Sequence, residues 1–386
     1  MLRNPGLEST AQPVPLVVSA AEKSNFYTVD CSPTVDTDWN RRATRVPEAR
    51  LQQTCEAAKI RRQLEGSDPL FFSVRCNAEI AGQLFVSRAF IHPDLLQWCR
   101  PLLHRGWLKK AMGAYRWFGG PLIFDKSEYA PILQHLLEAV EERAAADRIF
   151  AIKDVTPPFY DPEMDAAQVD EIYREFGYAG EERATIALNL EEDLEALWKN
   201  LGREARQKVN KARKQDIRIV EADTEERLLQ YYQVRVEMAR RNGVRPPSVD
   251  SVLGAESIYM RSGMAKVFLA EHKGNIASGQ MLALFNGNIQ LGGVCYSDYA
   301  RTQNLHANDL MQWHVIEWGH AQQCRTIDWA GYSLAPACEK EVGINRFKAK
   351  WGGTVIPYNV YSKIYDTKRH DFLVGAKAAA RKFGLR

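Results

Sequence analysis

The stretch 307–358 constrains the fold of this chain more than any other. It contains an apolar helix at 310–321, a short strand at 326–331 that ends in glycine, a loop, and a final strand at 354–361. An apolar helix that leads into such a strand is typical of the crossover units of α/β folds. Asp328 lies in this strand, close to a loop of small residues, where α/β folds commonly open a site. The stretch therefore predicts a mixed α/β fold with a site after Asp328.

The rest of the chain predicts two tandem domains. Upstream of this stretch, the second half contains a basic helix at 191–214, a strand, two helices and three strands, the last two joined by an Asn-Gly hairpin turn. The first half repeats this order in outline, and 386 residues are enough for two domains of ordinary size. We predict domains at 26–190 and 191–365, each a mixed, mostly antiparallel sheet flanked by helices. A flexible arm at 1–25 precedes them, and a basic helix at 366–386 follows.

The composition narrows the class of protein. The formal net charge is only +3, so partners have to be inferred from local patches. No apolar run approaches the roughly 20 residues of a membrane-spanning helix. The seven cysteines are widely spaced and form no C-x-x-C pair. This spacing predicts reduced thiols in the cytoplasm, and neither a disulfide framework nor a zinc site.

Three motifs in the second half carry a resemblance to a known family. The first is Trp198 followed by the basic run R-Q-K-V-N-K-A-R-K at 206–214. The second is the hairpin at 276–296 that leads into the apolar helix, and the third is Asp328 followed by G-I-N-R-F-K-A-K-W-G-G at 343–353. In this order and spacing they resemble the Fem family of tandem GNAT-fold acyltransferases, over residues 190–360.

The resemblance implies an activity and its co-substrates. Fem-family members add amino acids to peptidoglycan precursors, and acetyltransferase-like relatives occur in polysaccharide gene clusters. The implied donor is an aminoacyl-tRNA or an acyl-CoA, and no metal or redox cofactor is implied. Two features of these families are missing: the GNAT pyrophosphate loop Q/R-x-x-G-x-G/A, whose place is taken by 300–308, and the long coiled-coil arm that some members use to contact tRNA. The choice of donor therefore stays open.

Acyl transfer to an amine requires few catalytic groups. The amine must lose a proton, and the tetrahedral oxyanion needs a positive or N–H donor nearby. By the resemblance, Lys348 lies at the donor pocket and would neutralise a donor phosphate or the oxyanion, whereas Asp328 would orient or deprotonate the amine. Tyr296, at the end of the hairpin, would hydrogen-bond the acceptor. The alternatives are a solvated helix lysine, an aspartate that caps its loop and a half-buried strand tyrosine.

Five further residues are predicted to bind substrate: Phe347, Arg206, Arg240, Arg241 and His306. Arg206 belongs to a basic face, completed by Lys199, Arg203 and Arg213, that would bind the phosphate of a tRNA, a nucleotide or a lipid-linked precursor. Such a face is also typical of a solvated helix surface. The basic C-terminal run at 368–386 would either contact anionic lipid or pack on the protein.

Together these features predict a cytoplasmic N-acyltransferase, with peripheral contact to the inner membrane face as an option. It would move an aminoacyl or acyl group to an amine of a cell-envelope precursor or sugar, by direct attack in a ternary complex. The alternatives are an acyl-CoA-dependent acetyltransferase in polysaccharide biosynthesis and a non-enzymatic relative that binds phosphate or RNA.

Overall fold

The computed structural model describes residues 27–77, 79–90, 113–158 and 164–382, and the predicted arm at 1–25 lies outside them. Thirteen strands of these residues form one sheet. In chain order the strands are β1 (Tyr27–Ser32), β2 (Asp68–Cys76), β3 (Glu79–Phe90), β4 (Gly113–Arg116), β5 (Leu122–Ile123), β6 (Ala151–Val155), β7 (Ala179–Asn189), β8 (Arg218–Glu221), β9 (Ala265–His272), β10 (Asn275–Phe285), β11 (Asn288–Tyr296), β12 (Thr326–Asp328) and β13 (Thr354–Ile364).

The helices flank this sheet. In chain order they are α1 (Trp39–Ala43), α2 (Cys55–Glu65), α3 (Tyr129–Ala146), α4 (Ala166–Glu175), α5 (Leu194–Asn200), α6 (Arg203–Arg213), α7 (Glu225–Arg241), α8 (Val249–Arg261), α9 (Asp298–Thr302), α10 (Ala307–Ala321), α11 (Glu339–Ala349) and α12 (Thr367–Lys382). None of the helices in the described ranges is long and apolar enough to cross a lipid bilayer.

The two halves of the chain share the middle of the sheet. The strand order is β1-β2-β3-β4-β6-β13-β7-β12-β11-β10-β9-β8, with β5 paired to β3. β13 comes from the end of the chain, yet Tyr361 in it lies opposite Val155 of β6, and Thr354 lies opposite Ala187 of β7. The mixed α/β fold is therefore confirmed, and the sheets of the two halves are joined into one because β13 pairs with β6 and β7, and β7 pairs with β12. The domain boundaries drawn from the sequence stay predictions.

Separate apolar cores lie in the two halves. In the first half, α3 buries the residues that recur at a spacing of four, such as Ile132, Leu136 and Val140, against the sheet. In the second half, α5, α6 and α10 cover one core, which includes Met311. The helices α7 and α8 cover another, which includes Tyr231. The strands where the halves meet are thus held between independently packed units.

The predicted continuous helix at 191–214 is wrong, because the structure divides it into α5 and α6. Leu201 and Gly202 between them are extended, each with ψ of 144°. The break allows the Gly202 N–H to donate to the Lys350 carbonyl at 2.8 Å. The apolar stripe runs through both helices, so periodicity alone could not reveal a break that a distant residue imposes.

Residues 44–53 of the first half form a strap that lies on the β10–β11 hairpin of the second half. A 3₁₀ turn at Leu51–Gln53 ends the strap, and Thr54 then caps α2, which begins at Cys55. Asn288 at the start of β11 binds the strap through its side-chain amide, which donates to the Pro47 carbonyl at 2.8 Å. The strap brings first-half side chains to the middle of the sheet.

Candidate functional site

A cleft of about 820 Å³ lies where the two halves meet. Its floor is formed by β7 and β13, where Tyr358 lies opposite Arg183 and Val360 lies opposite Glu181. Directly opposed residues point to the same face of a sheet, so these four side chains share the floor. Strap residues, the segment at 331–335 and α11 complete the lining, through residues that include Arg50, Gln52, Tyr332, Leu334, Glu341 and Asn345.

A buried ion pair lies at the base of this cleft. Asp328 is fully buried and Arg50 is 4% exposed, and their side chains approach to 3.3 Å between Nη1 and Oδ2. The other carboxylate oxygen, Oδ1, accepts hydrogen bonds from the Thr185 hydroxyl and from the Ala330 N–H, the latter at 2.7 Å. With both oxygens engaged and no exposed surface, Asp328 is placed to hold the site together rather than to take a proton from an amine.

The turn after β12 is anchored to the sheet on one side and to α11 on the other. The Trp329 N–H donates to the Ile186 carbonyl at 2.9 Å, and the Tyr332 N–H donates to the Ala184 carbonyl at 2.7 Å. Between them, Ala330 has a φ of 52°, a left-handed conformation that is uncommon outside glycine, asparagine and aspartate. Such a conformation persists only where its surroundings fix it, as the contacts of this turn do.

One face of α11 binds the loop that follows this turn, at 333–337. The residues are Glu341, Asn345 and Lys348, at the spacing that places side chains on one helix face. Asn345 accepts a hydrogen bond from the Ser333 N–H at 3.1 Å and donates one to the Ser333 carbonyl at 2.7 Å. Glu341 accepts one from the Ala337 N–H at 2.8 Å. The loop that walls the cleft is therefore fixed by the motif at 343–353 and the residues just before it.

Lys348, the first predicted catalytic residue, binds this turn through its ammonium group. Its Nζ donates to the carbonyls of Ala330 and Gly331, and Gly331 lines the cleft. Burial lowers the pKa of Lys348, and the nearby Asp328 carboxylate partly offsets that shift. An ammonium has three N–H donors, so a third remains beyond these two carbonyls.

The cleft carries both signs of charge. Arg183 forms an ion pair with Glu181 at 2.7 Å on the floor. The acidic residues of the lining are Asp154, Glu181, Glu182 and Glu341, and the basic ones are Arg50 and Arg183. Acidic side chains therefore outnumber basic ones in this lining, which favours a cationic ligand.

The structure does not bring Tyr296, which was predicted to bind the acceptor, to this cleft. Asp328 lies opposite Gln290 in the parallel β11–β12 pair. Tyr296 lies six positions beyond Gln290 along β11, roughly 20 Å at about 3.3 Å per residue. The Tyr296 hydroxyl donates to the Leu305 carbonyl at 2.5 Å, and burial raises its pKa.

His306 lies near Tyr296, at the start of α10, and not at the base of the cleft. Its Nδ1 is 3.9 Å from a carboxylate oxygen of Asp309, and burial lowers its pKa. Asp309 forms a nearly buried ion pair with Lys350, whose Nζ lies 4.5 Å from the ring centre of Phe347. Phe347 also packs edge-on against Trp351, with ring centres 6.0 Å apart. Phe347 thus packs between α11 and the core.

Arg206 caps the helix before it rather than facing solvent. Its Nη1 donates to the carbonyls of Lys199 and Leu201, at 2.5 and 2.9 Å. Other bases of the predicted phosphate-binding face are ion-paired: Lys199 with Glu195, and Arg213 with Glu317. This arrangement matches the solvated-face alternative more closely than a phosphate site.

We expect Arg206→Ala to destabilise the protein by about 1.5 kcal/mol, because hydrogen bonds to a charged group are worth about that much. The measurement is the urea midpoint of the variant against that of Arg203→Ala, which removes an exposed arginine from the same helix. Equal midpoints for the two variants would mean that the capping contacts contribute nothing.

Arg240 and Arg241 line a separate pocket of about 840 Å³ at the end of α7. Arg241 donates to Asp298 at 2.6 Å and to the Tyr296 carbonyl at 2.7 Å. This ion pair lowers the pKa of the Asp298 carboxyl. The predicted site residues therefore fall into separate groups, of which Lys348 and Asp328 contact the same residue, Ala330, in the turn beside the cleft.

Sequence reasoning missed the contributions of Arg50, Thr185, Glu341 and Asn345. Glu341 and Asn345 could have been found from their spacing with Lys348 on one helix face. No sequence signal marks Arg50, because its partner in β12 comes from the other half of the chain.

A match in the second half identifies the class of domain. Residues 199–348 match the family model described as an acetyltransferase (GNAT) domain. This range includes the β9–β12 strands and α11 up to Lys348, so the matched domain supplies one wall of the cleft.

The whole chain has the fold of tandem GNAT proteins. It is similar to the crystal structure of FemX, with a TM-score of 0.69 and 14% identity over 86% of this chain and 96% of FemX. A tandem GNAT protein from the clavulanic acid biosynthesis pathway aligns with a TM-score of 0.51 and 13% identity, over 88% of this chain and 99% of that protein. A conserved protein of unknown function from Bacteroides thetaiotaomicron aligns with a TM-score of 0.54 and 11% identity, over 87% and 100%.

At these identities the likeness establishes the fold. The fold implied by the Fem resemblance is confirmed, and the chain has a GNAT-type acyltransferase architecture. No curated protein matches the sequence significantly.

Proposed function

We propose that the protein is a Fem-type N-acyltransferase that moves an aminoacyl or acyl group to an amine. The observation that carries this proposal is the placement of Lys348: its ammonium binds the carbonyls of Ala330 and Gly331, and Gly331 lines the cleft between the halves. A fixed positive donor at the edge of a large cleft is what oxyanion stabilisation needs. The GNAT domain match over the same residues supports the acyl-transfer chemistry.

The mechanism is direct attack within a ternary complex. The amine nitrogen attacks the carbonyl carbon of the donor, and the third N–H of Lys348 stabilises the oxyanion. As the intermediate collapses, the bond from the carbonyl carbon to the donor oxygen or sulfur breaks, and the amine proton passes to that leaving atom. Holding donor and acceptor together supplies much of the acceleration, so no covalent enzyme intermediate is required.

The acceptor we propose is an amine of a cell-envelope precursor or sugar. The acidic residues of the lining, among them Asp154 and Glu181, favour a ligand that carries an ammonium group. A cleft of about 820 Å³ has room for a peptide or sugar segment beside the acyl group. Cytoplasmic location, with contact to the inner membrane face, belongs to the same proposal. The membrane contact is supported by Phe372, which is 74% exposed beside Lys368 and Arg369 on α12.

The donor we propose is an aminoacyl-tRNA, with acyl-CoA as the second candidate. Acyl-CoA is favoured by the match to an acetyltransferase domain model. Against it, the start of α10, which follows the missing pyrophosphate loop, carries the Asp309 carboxylate in its first turn. An acidic side chain there opposes the binding of a diphosphate at the helix N-terminus. The alternative of a non-enzymatic protein that binds phosphate is disfavoured, because Lys199 and Arg213 of the basic face are already paired with carboxylates.

The test is the melting temperature of the purified protein with acetyl-CoA, a long-chain acyl-CoA, free CoA, and charged or uncharged tRNA. A ligand that binds only the folded state adds about 2.7 kcal/mol to the free energy of unfolding at a hundred times its Kd, and this raises the melting temperature. We expect charged tRNA to give a larger shift than uncharged tRNA. A shift with CoA thioesters alone would establish the second candidate, and no shift with any donor would contradict both.

A further inference from the structure

The strap from the first half is fastened to the second half by side chains that bind its carbonyl groups. Asn288 donates to the carbonyls of Pro47 and Ala49, at 2.8 and 3.2 Å. Asn286 donates to the Val46 carbonyl at 2.8 Å, and Arg325 donates to the Pro47 carbonyl at 2.7 Å. These contacts bind the backbone just before Arg50, so they fix where its side chain enters the cleft.

Arg50 is joined to Lys348 by a continuous series of contacts. Its guanidinium lies 3.3 Å from Oδ2 of Asp328, and Oδ1 of Asp328 accepts the Ala330 N–H at 2.7 Å. The carbonyl of that same Ala330 accepts a hydrogen bond from Lys348. Asp328 thus binds the N–H of Ala330 and Lys348 binds its carbonyl. The position of the Lys348 ammonium therefore depends on the position of the Asp328 carboxylate.

We propose that Arg50 is a positioning residue for Lys348, acting through Asp328 and the turn at 329–331. Without the guanidinium, the Asp328 carboxylate is free to turn towards the Lys348 ammonium, the Ala330 N–H loses its acceptor, and the turn carbonyls move. The first half therefore supplies a part of the catalytic site and not only a surface of the cleft. This inference rests on the proposed function of Lys348, but its main test needs no acyl transfer.

The test compares the titration of Lys348 in the wild type and in Arg50→Met. The rate at which Lys348 is acetylated by acetic anhydride is measured against pH by mass spectrometry of the full chain. Arg50→Met removes a positive charge and leaves the Asp328 carboxylate uncompensated, so the pKa of Lys348 should rise. Arg50→Lys, which keeps the charge, should titrate close to the wild type. An unchanged Lys348 titration in folded Arg50→Met would overturn the proposal.

Arg50→Met removes the partner of a buried carboxylate and can unfold the protein. A second variant therefore keeps the proposal testable. Asn288→Ala removes two contacts to the strap and no charge, and it should shift the Lys348 titration in the same direction. Arg346→Lys is the matched control, because Arg346 is an exposed residue of α11. If Asn288→Ala folds and Lys348 titrates as in the control, the strap does not position the lysine.

Activity then separates positioning from a merely structural role. A displacement of about 1 Å can reduce catalysis on the order of 100-fold. We expect Arg50→Met to lose kcat by that order with little change in KM, and Arg50→Lys to recover part of the loss. If the wild type transfers no acyl group, the proposed function fails, and the labelling result on Arg50 still stands by itself.

Discussion

Lys348→Met is expected to lose acyl transfer by on the order of 100- to 1000-fold, which is the effect of removing one oxyanion donor. The variant replaces the ammonium with an apolar group of similar length, and the fold should persist because α11 keeps its contacts through Asn345 and Glu341. The measurement is kcat and KM for the wild type and the variant, with circular dichroism to verify the fold. Lys340→Met, an exposed lysine on the same helix, is the control and should keep full activity.

Two further observations distinguish catalysis by Lys348 from its support of the turn. Lys348→Arg keeps a positive donor, so it should retain more activity than Lys348→Met if the charge is what matters. The reaction also needs the protonated lysine, and burial lowers the pKa of that group. Activity should therefore fall with rising pH at a lower pH than the ordinary lysine value of about 10.4. Full activity of Lys348→Met would refute the catalytic role.

Asp328→Ala is expected to reduce the free energy of unfolding by about 3–5 kcal/mol, because it leaves the buried Arg50 guanidinium without its carboxylate partner. It also removes the acceptor of the Thr185 hydroxyl and of the Ala330 N–H. The measurement is urea denaturation followed by fluorescence and circular dichroism. This change should be among the most destabilising single substitutions in the second half.

Asp328→Asn provides the matched comparison for the loss of charge. Its side-chain oxygen can still accept from Thr185 and Ala330, so the loss should be smaller than for alanine. If the alanine variant is as stable as the wild type, the buried pair does not hold the halves together at the cleft. If the asparagine variant is as damaging as alanine, the charge of Asp328 matters and its geometry does not.

The sequence predicted those parts of the site that lie in one continuous motif. Lys348 was found because it belongs to the run at 343–353, which has a recognisable pattern. The same run contains Asn345, whose role in binding Ser333 could have been inferred from helical spacing alone. Local periodicity and a contiguous motif carry this information, because both depend on residues that are near in sequence.

The remaining parts depend on contacts between distant segments. At the break the Gly202 N–H donates to the Lys350 carbonyl, and the apolar stripe through α5 and α6 gives no sign of this contact. Arg206 was predicted to bind phosphate, yet it turns back onto the carbonyls that this break exposes. The sequence shows that Tyr296 ends β11, but it does not give the register by which Asp328 lies opposite Gln290 rather than Tyr296.

The joining of the two sheets also depends on contacts between segments that are distant in sequence. β13 pairs with both β6 and β7, and its sequence reads as an ordinary final strand of the second half. Strand alternation reports which faces are buried but not which strands are neighbours. The position of Arg50 against β12 likewise follows from contacts between distant segments, those of the strap with Asn288 and Arg325.

The most direct test of the central claim is the formation of an amide product. Purified protein is incubated with isotopically labelled aminoacyl-tRNA or acetyl-CoA and with an amine-bearing peptidoglycan precursor or amino sugar, and the acceptor is analysed by mass spectrometry. We predict that the wild type forms a labelled amide with at least one of these pairs, and that Lys348→Met forms on the order of 100-fold less. No amide from any pair, or equal yields from both proteins, would contradict an acyl-transfer site at this cleft.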